Sequence, residues 1–149
     1  GYATLQGRTN HAGVTIAITP GEVDPVGSDT LGAFGLTGLR PYTGEYAARA
    51  SFPGYLTAVH TGIRVVSGVD TELELVKLLG GDATHDQLIN IQDLAYIGAG
   101  SRFGQTGLGG QDAWADINGD TKVDILDVAL AGVNFGKAAP QLWGHAQVD

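Results

Sequence analysis

The sequence predicts a mixed fold of two domains, an antiparallel β-sandwich followed by a small α-helical domain. Three observations support this prediction: alternating apolar and polar residues in the first half, a change of composition near Leu79–Gly81, and an internal repeat in the second half. The 149 residues suffice for one ordinary domain or two small ones. With 43% hydrophobic and 16% charged residues, the chain can bury a core.

Residues 1–79 show the period of two that is typical of half-buried strands. The stretches that carry it are YATLQGR, GVTIAIT, GEYAARASF and DTELELVKL. Turn signals rich in Gly and Pro separate them, among them TPGE and FPGY. Short strands joined by such turns, without a long helical period, predict an antiparallel sandwich over residues 1–79.

Residues 80–138 are predicted to form the second domain, and residues 139–149 a C-terminal tail or clasp. Two glycines follow the last predicted strand in LLGGD and mark the boundary. Beyond them, acidic loops alternate with the apolar stretches LAYIGA and VALAGV, which suit short helices. Trp143 in the tail is predicted to fold back onto the protein.

The net charge of −8 is unevenly distributed. Residues 1–79 contain seven acids and five bases (net −2), whereas residues 80–149 contain nine acids and three bases (net −6). Phosphates would be repelled by the second half, so nucleic acid is not a predicted partner, and a hard cation is favoured. No apolar run reaches the roughly 18 residues that span a membrane. Without Cys, neither disulfides nor thiolate metal sites can form.

An internal repeat explains the acidity of the second half. DATHDQLINIQD, beginning at Asp82 and here called loop one, aligns with DINGDTKVDILD, beginning at Asp116 and here called loop two. Both keep oxygen-bearing side chains at places 1, 3, 5, 9 and 12 and an apolar residue at place 8. This is the pattern of an EF-hand-type calcium loop, in which the seventh residue contributes its backbone carbonyl. A solvated acidic turn is the alternative for a single match, but two tandem loops favour two Ca²⁺ sites.

The predicted ligands of loop one are Asp82, Thr84, Asp86, Leu88 (by its carbonyl), Asn90 and Asp93. Those of loop two are Asp116, Asn118, Asp120, Lys122 (by its carbonyl), Asp124 and Asp127. The sixth place, usually Gly for a sharp turn, holds Gln87 and Thr121. Either the turn is relaxed, with Gly119 absorbing part of the bend, or calcium affinity is reduced.

The tandem loops resemble a dockerin over residues 80–138. Each loop ends in Asp rather than Glu and precedes a short helix that ends near FG. The resemblance implies a non-catalytic module of a secreted microbial protein that docks to a cohesin-like domain. It also implies partner contacts at the tenth and eleventh loop places, which are Ile91, Gln92, Ile125 and Leu126. The hydroxyl pair that well-known dockerins carry there is absent, so the implied partner has another specificity.

The first half resembles a carboxypeptidase-regulatory-like, transthyretin-type β-sandwich. The stretches GVTIAI, SDTLGAFGLTGLRP, GEYAARASFPGY and VSGVDTELEL carry this resemblance. It implies a rigid spacer or adhesion domain without an active site of its own.

The sequence predicts no enzyme. The four histidines share no metal-binding spacing, and neither a G-x-S-x-G motif nor a phosphate-binding P-loop occurs. Glu72 and Glu74 lie two apart in a predicted strand and are interpreted as a solvated face rather than a glycosidase pair. His85, at the fourth place of loop one, is expected to be an exposed loop residue.

Two functions stay open from the sequence. One is a calcium-stabilised docking module with a cohesin-like partner; the other is a structural subunit whose copies assemble into an extracellular fibre or sheath. Both predict an extracellular, secreted or cell-surface protein. Ile125 and Leu126 suit either function, because adjacent side chains leaving a tight loop cannot both point inward.

Overall fold

The computed structural model describes residues 1–21, 23–41 and 44–143. Within them the regular secondary structure is mostly strand, with two short α-helices and one 3-10 helix at Gly110–Ala115. The strands are β1 (Ala3–Leu5), β2 (Thr15–Thr19), β3 (Val26–Gly27), β4 (Tyr46–Ser51), β5 (Gly54–Tyr55), β6 (Ala58–Ile63), β7 (Val76–Leu78), β8 (Gly80–Asp82) and β9 (Gln141–Leu142). The α-helices are α1 (Ile91–Ile97) and α2 (Ile125–Val133).

Five strands form the main sheet in the order β3-β2-β4-β6-β9. The antiparallel pair at its centre places Ile16 of β2 opposite Ala50 of β4, and both are fully buried. This is the alternation that the sequence showed, with every second side chain in the core. β9 joins the far edge parallel to β6, with Ala58 opposite Gln141. The C-terminal segment therefore covers an edge of the sandwich.

Two smaller sheets complete the β structure. β1 pairs in parallel with β7, and β5 pairs antiparallel with β8. The second pair is important for the candidate site, because it places Gly54 of the sandwich opposite Asp82, the first residue of loop one. Loop one therefore starts from a strand that is hydrogen-bonded to the sandwich.

One hydrophobic core cluster runs from the sheets to the helices. It contains Leu78 of β7, Ile97 of α1 and Ala131 of α2, all fully buried. Gly80 permits the closest approach, because a Cβ at that position would lie 2.7 Å from Cγ2 of Ile117 in loop two. The first and second halves of the chain therefore share their interior.

The predicted fold class, an antiparallel sandwich followed by a separate small α-helical domain, is wrong. The α-helices have only 7 and 9 residues. They pack against each other and against β8, and their buried residues belong to the core cluster that contains the strands. Helices this short obtain most of their stability from tertiary packing. The structure is a mostly β fold in which the calcium-type loops and helices belong to the same core.

The strand predictions were correct only in part. The stretches that contain β1, β2 and β4 do form strands, whereas DTELELVKL is extended into a strand only at Val76–Leu78. β6 was not predicted, because AVHTGI does not keep a strict alternation. In the structure its Thr61 and Gly62 are exposed. Glu72 and Glu74 are exposed, but outside any strand.

Candidate metal centres and contact surface

Both loops lead directly into helices through the same cap. Asn90 and Asp124, at the ninth place, are the N-caps of α1 and α2, and their side chains accept from the backbone N–H of Gln92 and Leu126. The carboxylates of the twelfth place, Asp93 and Asp127, lie in the first turn and accept from the cap backbone N–H. These are capping boxes, so two predicted calcium ligands in each loop also hold the start of a helix.

Asp82 is the most unusual group of loop one. Its side chain is fully buried, and Oδ2 accepts from the backbone N (3.1 Å) and the Nε2 (2.8 Å) of Gln87. Oδ1 is buried and has no hydrogen-bond partner. Burial, with smaller contributions from the charges of Asp93 and Asp86, raises the pKa of Asp82 to about 6. A buried carboxylate oxygen without a partner is costly, and a cation would relieve that cost.

The other carboxylates of loop one bind neighbouring polar groups. Asp93 Oδ1 accepts from the backbone N and from Oγ1 of Thr84, each at 2.9 Å. Asp93 Oδ2 accepts from the backbone N of Asn90 at 2.8 Å. Asp86 Oδ1 accepts from the backbone N of Leu88 at 2.9 Å. The charges of Asp93 and Asp86 both act on Asp82 across the loop.

Loop two wraps its backbone around Asp116. Oδ2 of this residue accepts from the backbone N of Thr121 at 2.9 Å, and Oδ1 accepts from that of Gly119 at 2.9 Å. Asp127 is buried and accepts from the backbone N of Asn118 at 3.1 Å. Burial raises the pKa of Asp127, and the charge of Asp116 adds to the rise.

Lys122 brings a positive charge to loop two. Its Nζ lies 3.1 Å from Oδ2 of Asp124, a predicted ligand. The hydrogen bond from the backbone N of Leu126, followed by the contact with Lys122, lowers the pKa of Asp124. An ammonium group at this distance competes with a second cation for the same carboxylate.

Within the described parts of the chain, no three His, Cys, Asp or Glu side chains converge as they do in a metal centre. Calcium also accepts hydroxyl, amide and carbonyl oxygens, and the loops present these. Loop one fits a cation best, because Asp82 Oδ1 lacks any other partner. In loop two the Asp116 and Asp127 carboxylates are already hydrogen-bonded to backbone N–H groups. The two sets of calcium ligands therefore stay predictions.

The residues at the sixth place do adopt the left-handed conformation. Gln87 has φ 65° and Thr121 has φ 76°, beside His85 at 63° and Gly119 at 72°. Gly119 does share the bend of loop two, as one alternative from the sequence expected, but it does not relieve the sixth residue of the left-handed conformation. Non-glycine residues are held at positive φ, which is strained for β-branched Thr121.

The eighth residues, Ile89 and Val123, are buried as predicted, and each pairs with the segment that follows the opposite helix. The backbone N of Gly136, after α2, donates to the carbonyl of Ile89 at 2.7 Å. The backbone N of Gly104, after α1, donates to the carbonyl of Val123 at 2.7 Å. The two repeats therefore interlock through their FG ends.

Arg8 attaches loop two to the sandwich, and the sequence did not predict this role. Its Nε donates to the carbonyl of Ile117 at 2.9 Å, and its Nη2 donates to that of Asp116 at 3.1 Å. The hydroxyl of Tyr55 donates to the same carbonyl of Ile117 at 2.8 Å. Burial raises the pKa of Tyr55 to about 12. No local pattern could have identified this contact, since Arg8 and Ile117 are 109 positions apart.

His85 was expected to be an exposed loop residue, and the structure corrects this. Its ring stacks on Trp114 with centroids 3.9 Å apart, and its Nε2 accepts from the backbone N of Gly54 at 3.1 Å. Accepting at Nε2 requires a neutral ring, and burial lowers the pKa of His85 accordingly. His85 therefore contacts both the sandwich and Trp114 of the 3-10 helix.

The predicted contact residues are exposed at the starts of the two helices. Ile91, Ile125 and Leu126 are 66%, 64% and 57% exposed, and Gln92 is exposed beside them. The sequence of α2, ILDVALAGV, has a single charged residue, Asp127, and that residue is buried. A solvent-facing helix without an exposed charge is unusual for a free surface. We call Ile91, Gln92, Ile125 and Leu126 the helix-start surface.

The C-terminal segment reaches the sandwich through Trp143. Its Nε1 donates to the carbonyl of Glu74 at 2.7 Å, and its ring packs edge-on against Phe34 and His60. The rest of the predicted clasp, residues 144–149, lies outside the described residues. None of the helices in the described ranges has the length and hydropathy needed to cross a membrane.

Two solved structures from Acetivibrio cellulolyticus share this fold. One is a C-terminal interface mutant of a type II Cohesin-X-Dockerin complex, matched with a TM-score of 0.77 and 24% identity over 93% of this chain and 94% of that chain. The other is an N-terminal interface mutant of the same kind of complex, with a TM-score of 0.76, 24% identity and the same coverage. No protein-family model and no curated protein matches the sequence. At this identity the likeness shows the fold alone.

These findings correct the family assignment. A dockerin-type module preceded by a carboxypeptidase-regulatory-like, transthyretin-type sandwich is wrong for this chain, because the solved structures that share its fold match nearly the whole chain as one β-rich fold. The structures from cohesin–dockerin complexes instead match one continuous fold over 93% of the chain. The regular secondary structure of that fold is mostly strand, with three short helices. The local loop motif was a poor guide to the family, since a motif of twelve residues does not specify the packing around it.

Proposed function

We propose that this chain is a non-catalytic, calcium-stabilised module that docks to another protein in an extracellular assembly. The observation that carries the proposal is the helix-start surface, where exposed apolar side chains stand at the capped ends of α1 and α2. Side chains on a rigid support lose little ordering entropy when a partner covers them. The likeness to chains of type II Cohesin-X-Dockerin complexes supports docking as the function.

The partner we propose is the complementary member of a cohesin–dockerin-type pair. The sequence predicted a cohesin-like partner, and the fold comparison adds a dockerin as the other member to be tested. The helix-start surface is uncharged and, apart from Gln92, apolar, so its partner should present an apolar patch of similar extent.

Calcium in both loops is part of the proposal. Asp82 Oδ1 supplies the strongest support, because it is buried, without a hydrogen-bond partner and close to two further carboxylates. A bound cation would neutralise these charges and hold the loop from which α1 begins. The ends of the helices would then be fixed by calcium in the geometry that the partner meets.

Binding experiments with the purified chain test this function. The immobilised chain is exposed to a purified type II cohesin and, separately, to a purified X-dockerin, each with calcium and with chelator. We expect saturable binding to one of the two that is lost in chelator. If neither binds at micromolar concentration, the docking function is contradicted.

Self-assembly is the second candidate, and a specific observation favours it. The sandwich exposes its own apolar side chains at Leu31, Val66, Val69 and Leu75. Contact between two different surfaces of identical chains generates open filaments unless the ring closes. Size-exclusion chromatography and electron microscopy of the chain with calcium distinguish the candidates, because docking predicts a monomer in the absence of partner.

A further inference from the structure

We propose that Gln87 is a positioning residue. It orients the Asp82 carboxylate toward the cation of loop one and connects that carboxylate to the sandwich. The inference rests on the calcium binding proposed above. Gln87 stands at the sixth place, where calcium loops usually have Gly, and it is held at φ 65°. Its strain is retained because its amide connects two parts of the fold.

Gln87 holds the Asp82 carboxylate through two hydrogen bonds. Both hydrogen bonds to Oδ2 come from Gln87, one from its backbone N at 3.1 Å and one from Nε2 at 2.8 Å. Together they fix the rotation of the carboxylate and leave Oδ1 without a partner. Partners of this kind, which bind a metal ligand rather than the metal, determine the orientation of the ligand.

The carbonyl oxygen of the same side-chain amide contacts the sandwich. Gln87 Oε1 accepts from the backbone N of Thr57, a buried residue between β5 and β6, at 3.1 Å. The carbonyl of Gln87 accepts from the backbone N of Ala139 at 2.9 Å, just before β9. Because the amide is planar and held at both ends, a shift of Asp82 is transmitted to the backbone at Thr57.

Loop two provides a control inside the molecule. Thr121 occupies the same place with φ 76°, and its backbone N binds Asp116 Oδ2 at 2.9 Å. For its side chain, no hydrogen bond occurs within the described part of the chain. Loop two is attached by Arg8 instead. Only loop one therefore uses its sixth side chain as a link.

The two loops should respond differently to glycine at the sixth place. Gln87→Gly removes strain but also removes the amide, so a positioning role predicts weaker calcium binding at loop one, by about tenfold. Thr121→Gly removes strain alone and should leave loop two unchanged or tighter. Gln87→Met keeps the volume and the strain while losing both side-chain hydrogen bonds, and we expect the same tenfold loss.

A calcium titration followed by backbone amide NMR tests the inference on the whole chain. The signals of Ile89 and Val123 report separately on loops one and two, and that of Thr57 reports on the link. In the unmodified protein Thr57 should shift together with Ile89, and in both Gln87 variants this shift should disappear. A merely structural role would weaken folding without uncoupling Thr57 from Ile89.

The outcomes separate this inference from the calcium proposal. Equal or tighter binding at loop one in Gln87→Gly and Gln87→Met overturns the positioning role and leaves calcium binding intact. An unmodified protein in which Ile89 does not respond to calcium overturns both. If Gln87→Gly does not fold, the Gln87→Met titration decides by the same criteria.

Discussion

The Nε of Arg8 lies 2.9 Å from the carbonyl oxygen of Ile117, which joins the turn after β1 to loop two. The guanidinium also lies over the rings of Phe52 and Tyr55, 5.0 Å and 5.7 Å from their centroids. Arg8 therefore connects the sandwich, an aromatic pair and the backbone of a calcium-type loop. This contact attaches loop two to the first half of the chain.

Replacing Arg8 should destabilise the whole fold. Arg8→Ala leaves the carbonyls of Asp116 and Ile117 with fewer donors, and we expect a loss of about 2 kcal/mol in the free energy of unfolding. Urea denaturation measures this loss as a lower midpoint with an unchanged slope. Arg64→Ala is the matched control, because Arg64 forms an exposed ion pair with Glu45 and should cost at most about 0.5 kcal/mol. Equal effects of the two variants would contradict the role of Arg8.

Calcium removal should loosen part of the sandwich as well as the loops. Loop one begins at Asp82 in β8, which is paired with β5, so motion of the loop reaches Gly54. We expect hydrogen exchange in chelator to accelerate at residues 82–93, 116–127 and 54–57, with the β2–β4 pair unchanged. At a thousandfold excess over Kd, calcium should add about 4 kcal/mol to stability for each site. Exchange that chelator leaves unaltered would be inconsistent with calcium binding.

Replacing Leu126 tests the helix-start surface. Leu126 is exposed and follows the N-cap Asp124, so Leu126→Asp should preserve folding and calcium binding. We expect it to weaken partner binding at least tenfold, because it buries a charge in an apolar contact. Leu31→Asp, on the exposed surface of the sandwich, should leave docking unchanged. If Leu31→Asp alone prevents association, the interface lies on the sandwich and self-assembly is favoured.

Replacing Lys122 should strengthen loop two. Lys122→Gln removes the ammonium 3.1 Å from Asp124 Oδ2 and keeps the backbone carbonyl of the seventh place. The pair is partly exposed, so the expected gain in calcium affinity is modest, about twofold to fivefold, and should shrink at high salt. Calorimetric titration measures it, with Lys137→Gln as the control outside both loops. A gain of the same size in both variants would point to net charge rather than to this contact.

The sequence by itself determined the local features of this protein. The repeat predicted two similar loops, and the structure shows the same capping boxes at Asn90 and Asp124. It also predicted the buried eighth residues, Ile89 and Val123. These features depend on residues a few positions apart, where helix capping and side-chain periodicity act. For the same reason, the strands with strict alternation, β2 and β4, were predictable.

Only the tertiary structure decided how these parts combine. The link from Gln87 to Thr57, the parallel pairing of β9 with β6 and the contact of Arg8 with Ile117 all join distant segments. Sequence periodicity does not predict contacts between distant segments, because these contacts depend on which surfaces meet once the core has formed. A sequence motif predicted a separate helical domain, but the two helices of 7 and 9 residues place their buried residues in the same core as the sandwich, and helices this short depend on such tertiary packing.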